Sequence, residues 1–200
     1  LKNNGEVLHS TITDVDIFPE VKFEKRGVLI LTDQDKSALN IVKQLGLKPI
    51  LMKDHSSNEL LPIITSNPKL LNEEKIHEYI NRGANVLITE QCAKSRFKIY
   101  DTEITINARS ANFVSRKTGH GLVKDYKPFD FSYWYNSNTD YIDLSVNSFF
   151  APNKKLIPVL NILKGKPVVV ELPVGKGRIL SELSSFSFSI ERVYIAANGR

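Results

Sequence analysis

The chain has 200 residues and a mass of 22.6 kDa, and its 42% hydrophobic content is enough to form one domain with a buried core. No apolar run approaches the roughly 20 residues that a membrane-spanning helix needs, so the sequence predicts no membrane partner. A single cysteine, Cys92, excludes an internal disulfide and a cysteine-based zinc site, and the net charge of +5 is too dispersed to indicate a nucleic-acid partner.

Residues 1–26 are predicted to form a segment separate from the rest of the chain. The sequence opens on Leu1 without the basic and apolar regions of a signal peptide, and it leaves the cellular compartment open. Residues 5–12 alternate like a strand, and acids, a proline and basic residues follow up to Gly27. We expect 1–26 to be a linker or the end of a preceding β domain; a native arm packed on its own domain is the alternative.

From Val28 onwards, short apolar runs alternate with helical patterns. Asn72 is expected to cap a helix at 73–82, which Gly83 would end, and Gly46 is expected to end a helix at 36–45. Strands are predicted at 28–32, 48–52, 60–65 and 86–89, and helices at 36–45 and 73–82. Two strand–helix–strand passages predict an α/β fold with a doubly wound, mostly parallel sheet over 27–200.

The second half of the sequence predicts a β-rich part. Nine of the 18 aromatic residues fall within residues 126–150, where Phe129, Phe131 and Tyr133 alternate like the inward face of a strand. Trp134 and Tyr135 are therefore the candidates for contact with a neighbouring domain or a sugar. Further strands are predicted at 104–107, 111–115, 156–163 and 167–172, followed by a hairpin turn at 175–177 into 178–183.

Cys92 is the one candidate nucleophile, because it follows a predicted strand as nucleophiles do in many α/β enzymes. A nucleophile turn needs small neighbours and a base, but Cys92 has no adjacent glycine, and His120 is the only downstream histidine. An inert cysteine is the favoured interpretation. The four histidines show no metal-binding spacing, so neither a metal nor another cofactor is expected.

Asp33 and Asp35 follow the first buried strand, at the edge where open α/β sheets bind ligands. Two carboxylates there could position a sugar hydroxyl or a cation. Capping of the next helix is the commoner use of an aspartate at this position. Both residues remain candidate contacts for a ligand or a domain.

Several segments together resemble one family: residues 44–47, residues 81–85 before a strand ending in Glu90-Gln91, Gly119-His120-Gly121-Leu122, residues 129–134, and residues 167–180. In this order they are similar to the glutamine-amidotransferase-like, flavodoxin-like domain near the C-terminal end of family 2 glycoside hydrolases of the β-galactosidase or β-glucuronidase type. The resemblance covers roughly residues 27–185.

The resemblance implies a non-catalytic accessory domain of an enzyme of carbohydrate metabolism. Its catalytic carboxylates would lie in an upstream barrel domain, so this chain would not hydrolyse glycosides alone. It would pack on the other domains of its parent chain or support a homo-oligomer. The alternatives are a free-standing class I amidotransferase that uses Cys92 with His120 as base, and, more weakly, a carbohydrate-binding module.

Overall fold

The computed structural model describes residues 2–3, 6–7, 27–91, 94–111, 118–124, 135–136, 141–142 and 146–183. Two α-helices lie in this part of the chain, α1 (Lys36–Gln44) and α2 (Glu74–Asn81). The strands in chain order are β1 (Lys2–Asn3), β2 (Glu6–Val7), β3 (Gly27–Ile30), β4 (Lys48–Leu51), β5 (Ile63–Thr65), β6 (Asn85–Gln91), β7 (Arg96–Ile99), β8 (Thr102–Ala111), β9 (Tyr135–Asn136), β10 (Tyr141–Ile142), β11 (Val146–Phe150), β12 (Ile157–Ile162), β13 (Lys166–Val174) and β14 (Gly177–Leu183).

The largest sheet has seven strands in the order β12-β13-β14-β6-β5-β3-β4. Neighbouring strands from β14 to β4 pair in parallel, whereas β12, β13 and β14 pair antiparallel. A second, antiparallel sheet has the order β11-β8-β7. The short pairs β1–β2 and β9–β10 form two further sheets.

The expectation of a doubly wound, flavodoxin-like and amidotransferase-like α/β fold is wrong. Such a fold needs a helix on most crossovers, but the described residues hold only two α-helices and are mostly β, with a mixed sheet. Between β6 and β14 the chain builds antiparallel strands. Adjacent apolar segments there, such as 166–174 and 177–183, are joined by short turns and pair locally instead of crossing over through a helix.

Most of the individual elements predicted from periodicity are confirmed, with boundaries shifted by at most four residues. Residues 112–115 of the strand predicted at 111–115 lie outside the described residues. Helix α1 begins where Asp35 accepts a hydrogen bond from the Ala38 amide, and Gly46 follows it with φ +66°. Ala38, Ile41 and Val42 form its buried stripe. The predicted cap of α2 is wrong, because Glu73 precedes that helix and the Asn72 side chain bonds elsewhere.

One apolar cluster joins the two larger sheets. Phe150 on β11 and Ile104 and Ile106 on β8 are at most 1% exposed, and they share this core with Ile179 and Leu183 of β14. A smaller cluster packs α1 on β3 and β5. The three-stranded sheet is therefore part of the main hydrophobic core. Within the described ranges, no helix has the length and hydrophobicity needed to span a membrane.

Candidate functional site

The carboxyl ends of β3, β5 and β6 meet at one edge of the parallel part of the sheet, where the sequence predicts ligand contacts. Asp33 lies there as an exposed side chain. Asp35 is only 6% exposed, and its carboxylate turns towards the end of β5. The structure thus separates the two candidates into a surface residue and a buried one.

The Asp35 carboxylate is saturated by hydrogen bonds. Oδ1 accepts from the Ala38 amide at 3.1 Å and the Ser66 hydroxyl at 2.7 Å. Oδ2 accepts from the Thr65 hydroxyl at 2.9 Å and the Ser66 amide at 2.8 Å. A carboxylate with two donors on each oxygen has little capacity left for a ligand. Asp35 therefore fastens the start of α1 to the end of β5.

The end of β6 continues this network. The Gln91 side-chain amide donates to the Ser66 carbonyl at 3.1 Å and to the Thr89 carbonyl at 2.8 Å. Thr89 is fully buried, and its hydroxyl has no partner within the described chain. Cys92 follows directly but lies outside the described residues. Its proposed role with His120 thus stays a prediction.

His120 lies beside the buried carboxylate of Glu171. Its Nε2 lies 3.4 Å from Oε2 of Glu171 on β13, and both side chains are about 10% exposed. Its Nδ1 accepts a hydrogen bond from the Leu122 amide at 3.2 Å, which assigns the ring proton to Nε2. Arg178 approaches the same Glu171 oxygen at 3.6 Å. Nδ1 is the ring nitrogen that holds a hydrogen bond, so His120 could act as a base through Nδ1 only after giving up its bond to the Leu122 amide.

The aromatic candidates are only partly described. Trp134 lies outside the described residues, as do Phe129, Phe131 and Tyr133. For Tyr135 the backbone is described: it belongs to β9 and pairs with Ile142 of β10. The predicted roles of Trp134 and Tyr135 in contacts thus stay predictions.

A cleft of about 640 Å³ opens between α2, the β7–β8 turn and the end of β13, and sequence reasoning missed it. This volume is in the range of small-molecule sites. The lining divides into an apolar wall from β13 and a set of polar or aromatic side chains from three other segments. The main lining residues are His77, Asn81, Tyr100, Asp101, Lys155 and Val174.

Tyr100 is held in an unusual conformation at this cleft. Ile99 pairs with Thr102, so Tyr100 and Asp101 form a two-residue hairpin loop. Tyr100 has φ +53°, a region that normally suits glycine or asparagine at this loop position. Its ring stacks on His77 with centroids 3.8 Å apart. A tyrosine in this backbone conformation costs about 1 kcal/mol, which contacts around the turn must offset.

Asn72 clamps this turn from outside the hairpin. Its Oδ1 accepts from the Tyr100 amide at 2.7 Å, and its Nδ2 donates to the Lys98 carbonyl at 2.9 Å. Burial raises the pKa of Tyr100 to about 12, and its hydroxyl has no partner among the described residues. No sequence signal marks Tyr100, because a tyrosine in a short polar loop does not predict a positive φ.

Asp101 and Lys155 form the polar rim of the cleft. The Lys155 ammonium lies 2.5 Å from Asp101 Oδ2, and the two side chains are 51% and 79% exposed. The hydrogen bond from Lys155, followed by one from Thr102, lowers the pKa of Asp101 and keeps it ionised. Within the described part of the chain, no cluster of three or more His, Cys, Asp or Glu could hold a metal ion.

Comparisons with known proteins give likeness in structure alone. No family model matches the chain, and no curated protein sequence matches it. A cytoplasmic protein from Salmonella typhimurium LT2 aligns with TM-score 0.49 and 9% identity, over 86% of this chain and 97% of its own.

The structural neighbours also include two glycosidases. An exo-β-1,4-mannosidase from Opitutaceae bacterium strain TAV5 aligns with TM-score 0.47 and 11% identity, over 86% of this chain and 34% of its own. A β-galactosidase from Bacillus circulans sp. alkalophilus aligns with TM-score 0.45 and 12% identity, over 86% of this chain and 30% of its own. The chain thus spans about a third of each glycosidase.

Proposed function

We propose that the chain is a non-catalytic accessory domain of a glycoside hydrolase and that it packs on other domains of its parent protein. The observation that carries this proposal is the closed network around Asp35. At the sheet edge where an α/β enzyme would bind its substrate, the buried carboxylate is fully used in joining α1 to β5. The sequence resemblance to family 2 glycoside hydrolases supplies the class of parent enzyme.

The packing surface we favour lies at the edge strand β12. Ile157 on β12 is 42% exposed, and Leu122, in the turn that begins at His120, is 48% exposed. Ile157 pairs with Glu171, which His120 contacts, so the two apolar side chains lie on neighbouring segments. Exposed apolar side chains at a sheet edge suit contact with another domain.

The coding sequence upstream of Leu1 provides the first test. We expect it to encode a barrel domain with two glutamates at strand ends, because most glycosidases use a pair of carboxylates. A start codon immediately before Leu1 would contradict the accessory role.

Enzyme assays of the chain alone provide the second test. We expect neither glutaminase nor glycosidase activity from the wild-type chain, and the same result for Cys92→Ala. Glutaminase activity that disappears in Cys92→Ala would instead establish the amidotransferase alternative.

A double variant tests the packing surface in the full-length parent protein. Leu122→Asp with Ile157→Asp should expose this domain to limited proteolysis, because two charges would be placed in an apolar contact. The matched control is Leu60→Asp, which alters a side chain that is 39% exposed in a different part of the fold. Equal proteolysis of the double variant and the control would contradict the proposed surface.

A further inference from the structure

The cleft at Tyr100 combines an apolar wall with a polar rim. Leu172, Pro173 and Val174 supply C–H groups from β13, and the His77–Tyr100 stack closes another side. Asp101 and Lys155 stand at the entrance with more than half of each side chain in solvent. A ligand would therefore meet apolar surface inside and charged hydrogen-bonding groups at the opening.

The charge of the cleft constrains its ligand. The lining residues that carry a permanent charge are Asp101 and Lys155, and they neutralise each other at 2.5 Å. A strongly anionic ligand would be repelled by the Asp101 carboxylate, and a cationic ligand would be repelled by Lys155. Neither kind of ligand therefore gains affinity from the overall charge of the cleft. A neutral ligand with many hydroxyls can instead donate to Asp101 and accept from Lys155 while its C–H faces pack on the wall.

We propose that this cleft binds a neutral sugar of one or two rings. The strained turn supports the assignment, because Tyr100 occupies a backbone conformation that a tyrosine adopts only at a cost and places its ring in the cleft lining. Asn81 adds a side-chain amide to the lining. The proposal stands on the cleft itself and does not require that the chain packs on a catalytic domain.

The test is calorimetric titration of the 200-residue chain with galactose, mannobiose and cellobiose, with glucuronate as the anionic comparison. We expect at least one neutral sugar to bind with a Kd of about 1 mM, and glucuronate to bind at least about tenfold more weakly. Failure of all three neutral sugars to bind at about 10 mM, or equal binding of glucuronate, would overturn the proposal.

Variants then locate the site. Asp101→Asn and Lys155→Met should each weaken sugar binding about tenfold, because each removes a charged hydrogen-bonding partner at the rim. Arg96→Gln and Glu103→Gln are the matched controls. They alter an exposed ion pair of 3.1 Å on the same hairpin that does not line the cleft. Unchanged affinity in both rim variants would refute the location.

Tyr100→Asn tests the contribution of the Tyr100 ring to the cleft without disrupting the turn. Asparagine tolerates a positive φ better than tyrosine does, so the hairpin should persist. We expect circular dichroism to stay unchanged while sugar binding falls at least about tenfold, as expected when a ring in a ligand site is lost. Full affinity in a folded Tyr100→Asn variant would count against the proposal, whatever the outcome for the accessory role.

Discussion

At the scale of single residues, polar side chains in this protein mostly fasten one segment of the chain to another. Asp35 joins α1 to β5, Asn72 holds the β7–β8 turn, and the Tyr79 hydroxyl accepts from the Leu61 amide at 2.7 Å. The sequence correctly suggested a cap at Asp35, since an aspartate before an apolar helical pattern is a local signal. It could not reveal the partners Thr65 and Ser66, which lie about 30 residues further along the chain.

Replacing Asp35 by alanine should lower the free energy of unfolding by about 3 kcal/mol, because a helix cap and charged hydrogen bonds are lost together. Urea unfolding followed by circular dichroism measures this loss. Asp33→Ala is the control, because Asp33 is an exposed side chain nearby, and it should change stability by less than about 0.5 kcal/mol. Similar losses in the two variants would contradict the fastening role of Asp35.

Tyr79, which is buried, and Tyr100, which is half-buried, should respond differently to loss of their hydroxyls. Tyr79→Phe should cost about 1.5 kcal/mol at pH 7, because the Leu61 amide loses its acceptor. Tyr100→Phe should change stability by less than about 0.5 kcal/mol, because its hydroxyl has no partner in the described structure. Urea unfolding of the two variants at pH 7 measures the difference, and a larger loss in Tyr100→Phe would contradict this assignment.

The same tyrosines predict the stability at high pH. Burial raises the pKa of Tyr100 from 10.0 to about 12, and burial also raises the pKa of Tyr79. The unfolded chain then loses these protons at lower pH than the folded chain does, so stability should fall as pH rises from about 10 to 12. Tyr100→Phe should reduce this fall. An unchanged pH profile in that variant would contradict the raised pKa.

At the scale of elements, local patterns predicted strands and helices well, whereas their long-range pairing was beyond reach. Helix α1 and the β13–β14 hairpin follow from apolar spacing and from turn residues such as Gly175. The pairing of β6 with β14 joins segments about 90 residues apart, and nothing in either strand specifies the partner. The predicted fold class was wrong because it gave the two helices before β6 more weight than the antiparallel strands after β6.

The β13–β14 hairpin approaches α2 so closely that glycine is required. A Cβ on Gly177 would lie 2.3 Å from the carbonyl oxygens of Ala84 and Ile80. Gly177→Ala should therefore cost about 3 kcal/mol, because backbone atoms must move apart. At Gly46, φ is +66° but no atom lies within 4 Å of an added Cβ, so Gly46→Ala should cost only about 1 kcal/mol. Thermal or urea unfolding that ranks Gly46→Ala as the worse variant would contradict this account.

At the scale of the whole molecule, the shared core predicts cooperative unfolding of the two larger sheets. Phe150 belongs to the three-stranded sheet but packs in the cluster that contains β13 and β14. Phe150→Ala should cost about 4 kcal/mol and shift the far-ultraviolet and fluorescence transitions together. Leu60→Ala, at a side chain that is 39% exposed, is the control. Separate transitions for the two signals would mean that the sheets unfold independently.

The position of β14 has a consequence for synthesis on the ribosome. This strand lies between β13 and β6, although it is the last described strand in chain order. Until residue 183 emerges from the ribosome, β14 cannot pair with β6, and the edge of β6 that β14 later covers stays open. The apolar residues Val86 and Ile88 lie along this open edge. An unpaired apolar edge invites association between nascent chains. Slowed translation before β14 should therefore increase aggregation more than the same delay placed after it.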